Sequence, residues 1–284
     1  MKNLLFFHSS LLRGLREFES FTADRLREGG SPRHPLTQPL PRERSKKLLA
    51  AVLISLLAGC DPAPPQTPRV PVSTLHGTGV IHGKVIFDGP KPPEKLVRNS
   101  PCCPGAPAMQ RDETVTVNDN GTLANCFVYI EGGPRTDGSA LPPPTLDQLF
   151  CQYVPHVVGV VVNQPLTIHS SDPTIHNVNI KPYIDPAMNF YMQKASDHST
   201  AIFHSPQFVK SVCDVHPWMN AWIGVFDNPY FAVTGSDGTF EIKNVPAGDY
   251  TLVAWHERFG KLSQPITIKD GSPVDINFTY KPPN

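Results

Sequence analysis

The sequence predicts an all-β protein, and three observations carry that expectation. Proline occupies 32 of the 284 positions, about twice ordinary usage, and an internal proline removes a helix hydrogen bond and clashes with the preceding turn. From Gly79 onward, apolar and polar residues alternate over short runs punctuated by Gly, Asn, Asp and Pro, the pattern of β-sandwiches and barrels. With 39% hydrophobic residues, 15 Phe and 7 Tyr, the chain can bury a real core, which excludes wholesale disorder. The length suits about two domains. Twenty-five Lys and Arg balance 25 Asp and Glu, and without a basic surplus a nucleic-acid partner is excluded.

The first sixty residues read as an address. Arg42, Arg44, Lys46 and Lys47 precede the apolar run LLAAVLISLLA (48–58), followed by Gly59 and Cys60. A basic region, an apolar core and a small-residue cleavage site make a secretory signal, and the run is too short to span a bilayer, which takes about 20 residues. Leu57-Ala58-Gly59-Cys60 resembles a bacterial lipobox, which implies cleavage before Cys60 and a lipid on its sulfur. Residues 1–59 are thus expected to be an N-terminal extension and signal. Residues 60–78 are expected to be the anchor and a Pro-rich, extended spacer. Cleavage leaves 15 basic and 20 acidic residues, a net charge of −5.

The body reads as strands in series: VIHGKVIF (80–87), then ETVTV and TLANCFVYI about the Asn120-Gly121 turn, then HVVGVVV (156–162). PLTIHS, TIHNVNI, TAIF, FVKSVC and AWIGVFD continue it, and after Asn228-Pro229 come FAVTG, TFEIKNV, DYTLVAW, QPITI and VDINFTY.

One constellation carries specific chemistry. Cys213-Asp-Val-His216-Pro-Trp-Met219 places a thiolate, an imidazole and a thioether within seven residues, between two apolar strands. A thiolate plus imidazoles with a weak axial Met is the ligand set of mononuclear electron-transfer copper sites. The second imidazole must come from elsewhere, and His176, opening the run HNVNI, is well placed; His169 is the alternative. A dinuclear centre would need a second Cys four residues before Cys213, and position 209 is Val. With no His-x-His pair and no second Cys-His loop, enzymatic redox chemistry is disfavoured.

The pairing of IHNV (175–178) with CDVHPWM (213–219) resembles the cupredoxin family of blue copper proteins, and the ligand-loop spacing is most similar to amicyanin. The run YVPHVVGVVVNQPLTIHSSDPTIHNV is similar to the strands leading to the first ligand histidine of plastocyanin-like proteins. The resemblance implies a cupredoxin-like Greek-key β-sandwich over 79–228, with its core at 121–228. It implies one Cu(I)/Cu(II) ion held by His176, Cys213 and His216 with Met219 axial. Asn177 would tie the ligand loops together, and His216, Pro217 and Trp218 would form the surface through which electrons pass.

The C-terminal TGSDGTFEIKNVPAGDYTLVAWHERFG and the following PITIKDG resemble a small transthyretin/carboxypeptidase-regulatory-like β-sandwich, placed at 229–284. GKVIFDGPKPP (83–93) resembles its opening strand, which leaves open a copper domain inserted within it. Of the other cysteines, Cys102 or Cys103 bonded to Cys151 is the favoured pairing and Cys126 reads as core. A second metal site from Cys102, Cys103, Cys151 and His156 is the alternative. Together these readings imply an exported, lipid-anchored, non-enzymatic carrier of single electrons between periplasmic or cell-surface redox proteins, touching the membrane only through Cys60. Copper storage or delivery, or a structural surface module, is the competing expectation.

Overall fold

The computed structural model describes residues 68–101 and 103–282; the expected signal, Cys60 and the first part of the spacer lie outside them. Among the described residues the only helix is a single 3-10 turn, Val72–Thr74, and the remaining regular elements are strands.

Two sandwiches account for most of them. In the first, a five-stranded sheet runs in the order Met188–Met192, His176–Ile180, Gln207–Val212, Asn220–Phe226, Val157–Val161. It faces a four-stranded sheet ordered His198–Ala201, Leu166–Ser170, Thr145–Leu149, Gln152–Val154. The period of two in each strand decides which side chains meet. Val158 and Val160, Val209, and Ala221, Ile223 and Val225 point from the larger sheet into a core closed by Leu146, Tyr153, Leu166 and Ile168.

The second sandwich pairs a sheet of Phe231–Val233, Phe127–Glu131, Gly248–His256 and Gly260–Ile268 with one built on Gly79–Phe87. Gly79–Phe87 pairs antiparallel with Thr239–Val245 and parallel with Val274–Asp275 and Phe278–Tyr280. Ile81, Val85, Val128, Ile130, Leu252 and Ala254 share its core. Two sequence expectations change here. Phe127–Glu131 belongs to this sandwich and not to a copper-domain core spanning 121–228, because Val128 and Ile130 bury against Leu252 and Ala254. The first sandwich is therefore threaded between Phe127–Glu131 and Phe231–Val233. The end of the spacer is also docked: Val70–Pro71 pairs parallel with Thr136–Asp137, and Arg69 bonds Asp227 at 2.6 Å.

Part of the outer face of the five-stranded sheet is covered as well. Val157, Phe208, Trp222 and Phe226 meet Phe127, Tyr129, Phe231 and Trp255 of the second sandwich in an aromatic seam. Phe208 stacks on Trp255 at 4.3 Å, and Phe226 on Phe231 at 4.4 Å. Gly159 and Gly224 are cross-strand partners, and together they form the hollow that admits these rings. A Cβ on Gly159 would stand 2.3 Å from the Phe231 ring, and one on Gly224 3.0 Å from that of Phe127. At the seam's edge His156 bonds the Glu257 carboxylate, which also accepts from Trp222 Nε1 at 2.8 Å.

Two outcomes follow. Gly159→Ala should cost about 1–3 kcal/mol in urea unfolding through overpacking, with part recovered when Phe231→Ala is added; an additive double variant would contradict the hollow. Burial pushes the Glu257 carboxyl up, but the His156 and Trp222 bonds prevail and hold it below the usual value of 4.5. A depressed carboxylate stabilises the fold above its unfolded value and loses that contribution as pH falls through its folded one. Stability should therefore drop below about pH 4.5, and Glu257→Gln should flatten that drop; an unchanged acid limb would refute the assignment.

Candidate metal centre

The centre forms where His176–Ile180 and the turn between Gln207–Val212 and Asn220–Phe226 come together at one end of the five-stranded sheet. The turn is closed by its own backbone: Cys213 N–H donates to Met219 C=O at 3.2 Å and Met219 N–H to His216 C=O at 2.9 Å. The His216 N–H reaches back to Cys213 Sγ at 3.4 Å. Within that turn of seven residues Cys213, His216 and Met219 are all buried, and Cys213 and His216 come together.

One ligand atom each from His176, Cys213 and His216 lies within 4.8 Å of the others. The two Nδ1 atoms are 2.9 Å apart, and Cys213 Sγ is 3.9 Å from His216 Nδ1. Metal–nitrogen and metal–sulfur bonds of roughly 2.0–2.3 Å let one ion bridge donors up to about 4.4 Å apart, so the set fits a single ion. Two imidazole nitrogens this close need either an N–H on one of them or a metal ion between them. His169, the alternative to His176, is instead half-buried against Asp147 at 2.9 Å.

The side chains around the donors fix their roles. Asn177 Oδ1 accepts from the Asp214 N–H at 2.8 Å and from Cys213 Sγ at 3.5 Å, so it bridges the two ligand segments. Asp214, unremarked in the sequence, accepts from Asn177 Nδ2 at 2.7 Å and from Asn179 Nδ2 at 3.0 Å. Asp172 was missed as well. Its carboxylate accepts from His176 Nε2 at 2.9 Å and from the N–H groups of Phe150 and Cys151 at 2.7 and 2.8 Å. This assigns the Nε2 proton and leaves Nδ1 as the ligand atom, the arrangement by which a carboxylate orients a metal-bound imidazole. Its place four residues before His176 is the signal that could have found it.

These contacts set the charges. Burial pushes the His176 imidazolium down, but Asp172 and then Cys213 reverse this and raise it to about 9. Burial also opposes the Cys213 thiolate, while hydrogen bonds from His176 and the backbone around it hold the thiol below its usual value. His216 moves down through burial and repulsion from His176. The protein alone therefore favours a charged His176 imidazole beside Asp172, and a metal bound through Nδ1 must displace the proton there.

The expected electron-passing surface needs correction. His216 is 1% exposed, not a surface ligand, while Pro217 is exposed and Trp218 half-buried. His216 is covered by the Trp218 ring, whose centroid lies 5.1 Å away, and by the Cys103–Cys151 disulfide. That bond, with His156 engaged by Glu257, also removes the four-residue second site. Cys126 is a free, fully buried thiol in the second sandwich.

Comparison with known proteins matches residues 217–281 to the carboxypeptidase regulatory-like domain. That span takes in the end of the Cys213–Met219 turn, the strand Asn220–Phe226 and the strands of the second sandwich from Phe231 onward, but not Gly79–Phe87 or Phe127–Glu131. No curated protein matches. Among solved structures, a copper-containing nitrite reductase from Thermus scotoductus is 18% identical with a TM-score of 0.27, aligning 34% of this chain with 24% of its own. This chain thus spans about a quarter of that reductase. An amicyanin variant in the Cu(I) state is 16% identical with a TM-score of 0.28, aligning 35% of this chain with 98% of its own. A purple cupredoxin from Nitrosopumilus maritimus is 17% identical with a TM-score of 0.25, over 29% and 99%.

Asp172→Asn keeps the shape at His176 but removes the charge, and should weaken the affinity for a metal ion held by His176 about 10–100-fold in competition with a chelator. Unchanged affinity would dismiss Asp172 as an orienting group.

Proposed function

We propose that this chain is a mononuclear copper protein that carries single electrons between redox proteins outside the cytosol, is held to a membrane by lipid on Cys60, and is not itself an enzyme. The observation that carries this reading is the buried convergence of His176, Cys213 and His216, with Met219 buried on the same turn. When bound, copper would supply a one-electron couple. Mixed soft and borderline donors suit both oxidation states, and the bonds from Asn177, Asp172 and Asp214 hold the donors in place as the charge changes.

With His216 covered, partner docking falls to the residues beside the centre. Phe150, Ile175 and Val215 are exposed apolar side chains at 45%, 44% and 48%, each the immediate neighbour of Cys151, His176 or His216. A small apolar footprint suits a brief redox encounter, whose interface is usually under about 1,200 Å². The net charge of −5 after cleavage favours partners with a positive face. Storage or delivery is the second reading, favoured by the cover over His216.

Adding Cu(II) to the purified chain should produce an intense visible thiolate-to-copper band that bleaches reversibly on reduction and is absent in Cys213→Ala. No band in the parent, or a band that survives in the variant, would overturn the electron-carrier reading; tight Cu(I) binding without a band would favour storage.

A further inference from the structure

The Cys103–Cys151 disulfide is not required by the centre described above, yet it abuts it. Its two sulfurs and one ring nitrogen of His216 lie within 4.8 Å of one another, and Cys151 Sγ is as close to a ring nitrogen of His176 and an oxygen of Asp172. Cys151 is tied to the centre through its backbone as well. Its N–H donates to Asp172 at 2.8 Å, and its C=O accepts from Trp218 Nε1 at 3.0 Å. Phe150 and Cys151 both adopt left-handed backbone, φ 55° and 56°, which non-glycine residues keep only where their surroundings enforce it. The bond lies just beneath the surface: Cys103 is 7% exposed, and Pro101, Pro104 and Gly105 around it are exposed.

We propose that reduction of this disulfide by a dithiol turns Cys103, Cys151 and His216 into a second metal site, selective for Cu(I), through which the ion enters or leaves the mononuclear centre. The inference rests on the copper reading in that His216 belongs to both donor sets. The reduction is thiol–disulfide exchange: a thiolate of the dithiol attacks one sulfur, forms a mixed disulfide, and then closes on itself. Two electrons pass from the dithiol, which leaves as a cyclic disulfide, and two protein thiols are formed. Cu(I) then displaces the thiol protons. Two thiolates and an imidazole are a soft set that prefers Cu(I) to harder divalent ions. The oxidised bond closes the same path, since a disulfide sulfur has no thiolate to offer.

The full-length chain carrying Cys213→Ser removes the thiolate of the mononuclear centre and isolates the new site. Reduced with dithiothreitol, freed of it without oxygen and titrated with Cu(I) against a chromogenic Cu(I) chelator, it should bind about one more ion per chain than its oxidised form. Adding Cys103→Ser or Cys151→Ser should abolish that gain, while Cys102→Ser and Cys126→Ala should keep it. Should the serine variants fail to fold, alkylation of reduced Cys213→Ser read by mass spectrometry serves instead: Cu(I) should protect Cys103 and Cys151 from iodoacetamide. Equal binding in both redox states, dependence on Cys102 or Cys126, or no protection would overturn the proposal. The Cu(II) band of the oxidised parent reads the mononuclear centre separately, so failure of one is not failure of the other.

Discussion

The strands Asn220–Phe226 and Val157–Val161 of the five-stranded sheet are packed on both faces, and the rest of the structure is arranged around that constraint. One face is the wall of an aliphatic core, and the other is the aromatic seam against the second sandwich. A sheet clamped between two packed layers has little freedom to twist or slide, because interiors are packed as densely as crystals. Three of its strands carry or bound His176, Cys213 and His216, and the parallel strand Val157–Val161 brings the hollow at Gly159 against Phe231. The second sandwich thus backs the sheet that presents His176 and bounds the Cys213–Met219 turn, which gives it a plain physical role.

At the centre itself the ordering is electrostatic. The sequence offers a thiol, two imidazoles and a thioether, but carboxylates outside the donor set decide how they stand. Asp214 fastens the cysteine turn to Asn177 and Asn179, and Asp172 fastens His176 to the backbone on the far side of the disulfide. Buried charge survives only when paired or hydrogen-bonded, and Asp172, 3% exposed, is saturated by His176 and two N–H groups. The same carboxylate therefore joins His176 and the Cys151 backbone in one network.

Strand identity was readable from short apolar runs bounded by turn residues, as in HVVGVVV and AWIGVFD, which became Val157–Val161 and Asn220–Phe226. Sheet membership was not. FVYIE carries apolar residues on both faces, so its pattern fits either core, and only its pairing with Gly248–His256 places it in the second sandwich. The covering of His216 was likewise invisible, since it is made by Trp218 and by cysteines at positions 103 and 151, remote in sequence.

The sequence by itself determined the all-β class, the turn that gathers Cys213, His216 and Met219, and the strand that presents His176 and Asn177. Each of these rests on local periodicity or on spacing within a few residues. Only the tertiary structure decided that the first sandwich is threaded between strands of the second, that Asp172 and Asp214 orient the donors, and that His216 lies beneath a disulfide. Those outcomes depend on which faces bury together and which distant polar groups are left without water, and neither is written in any one stretch of chain.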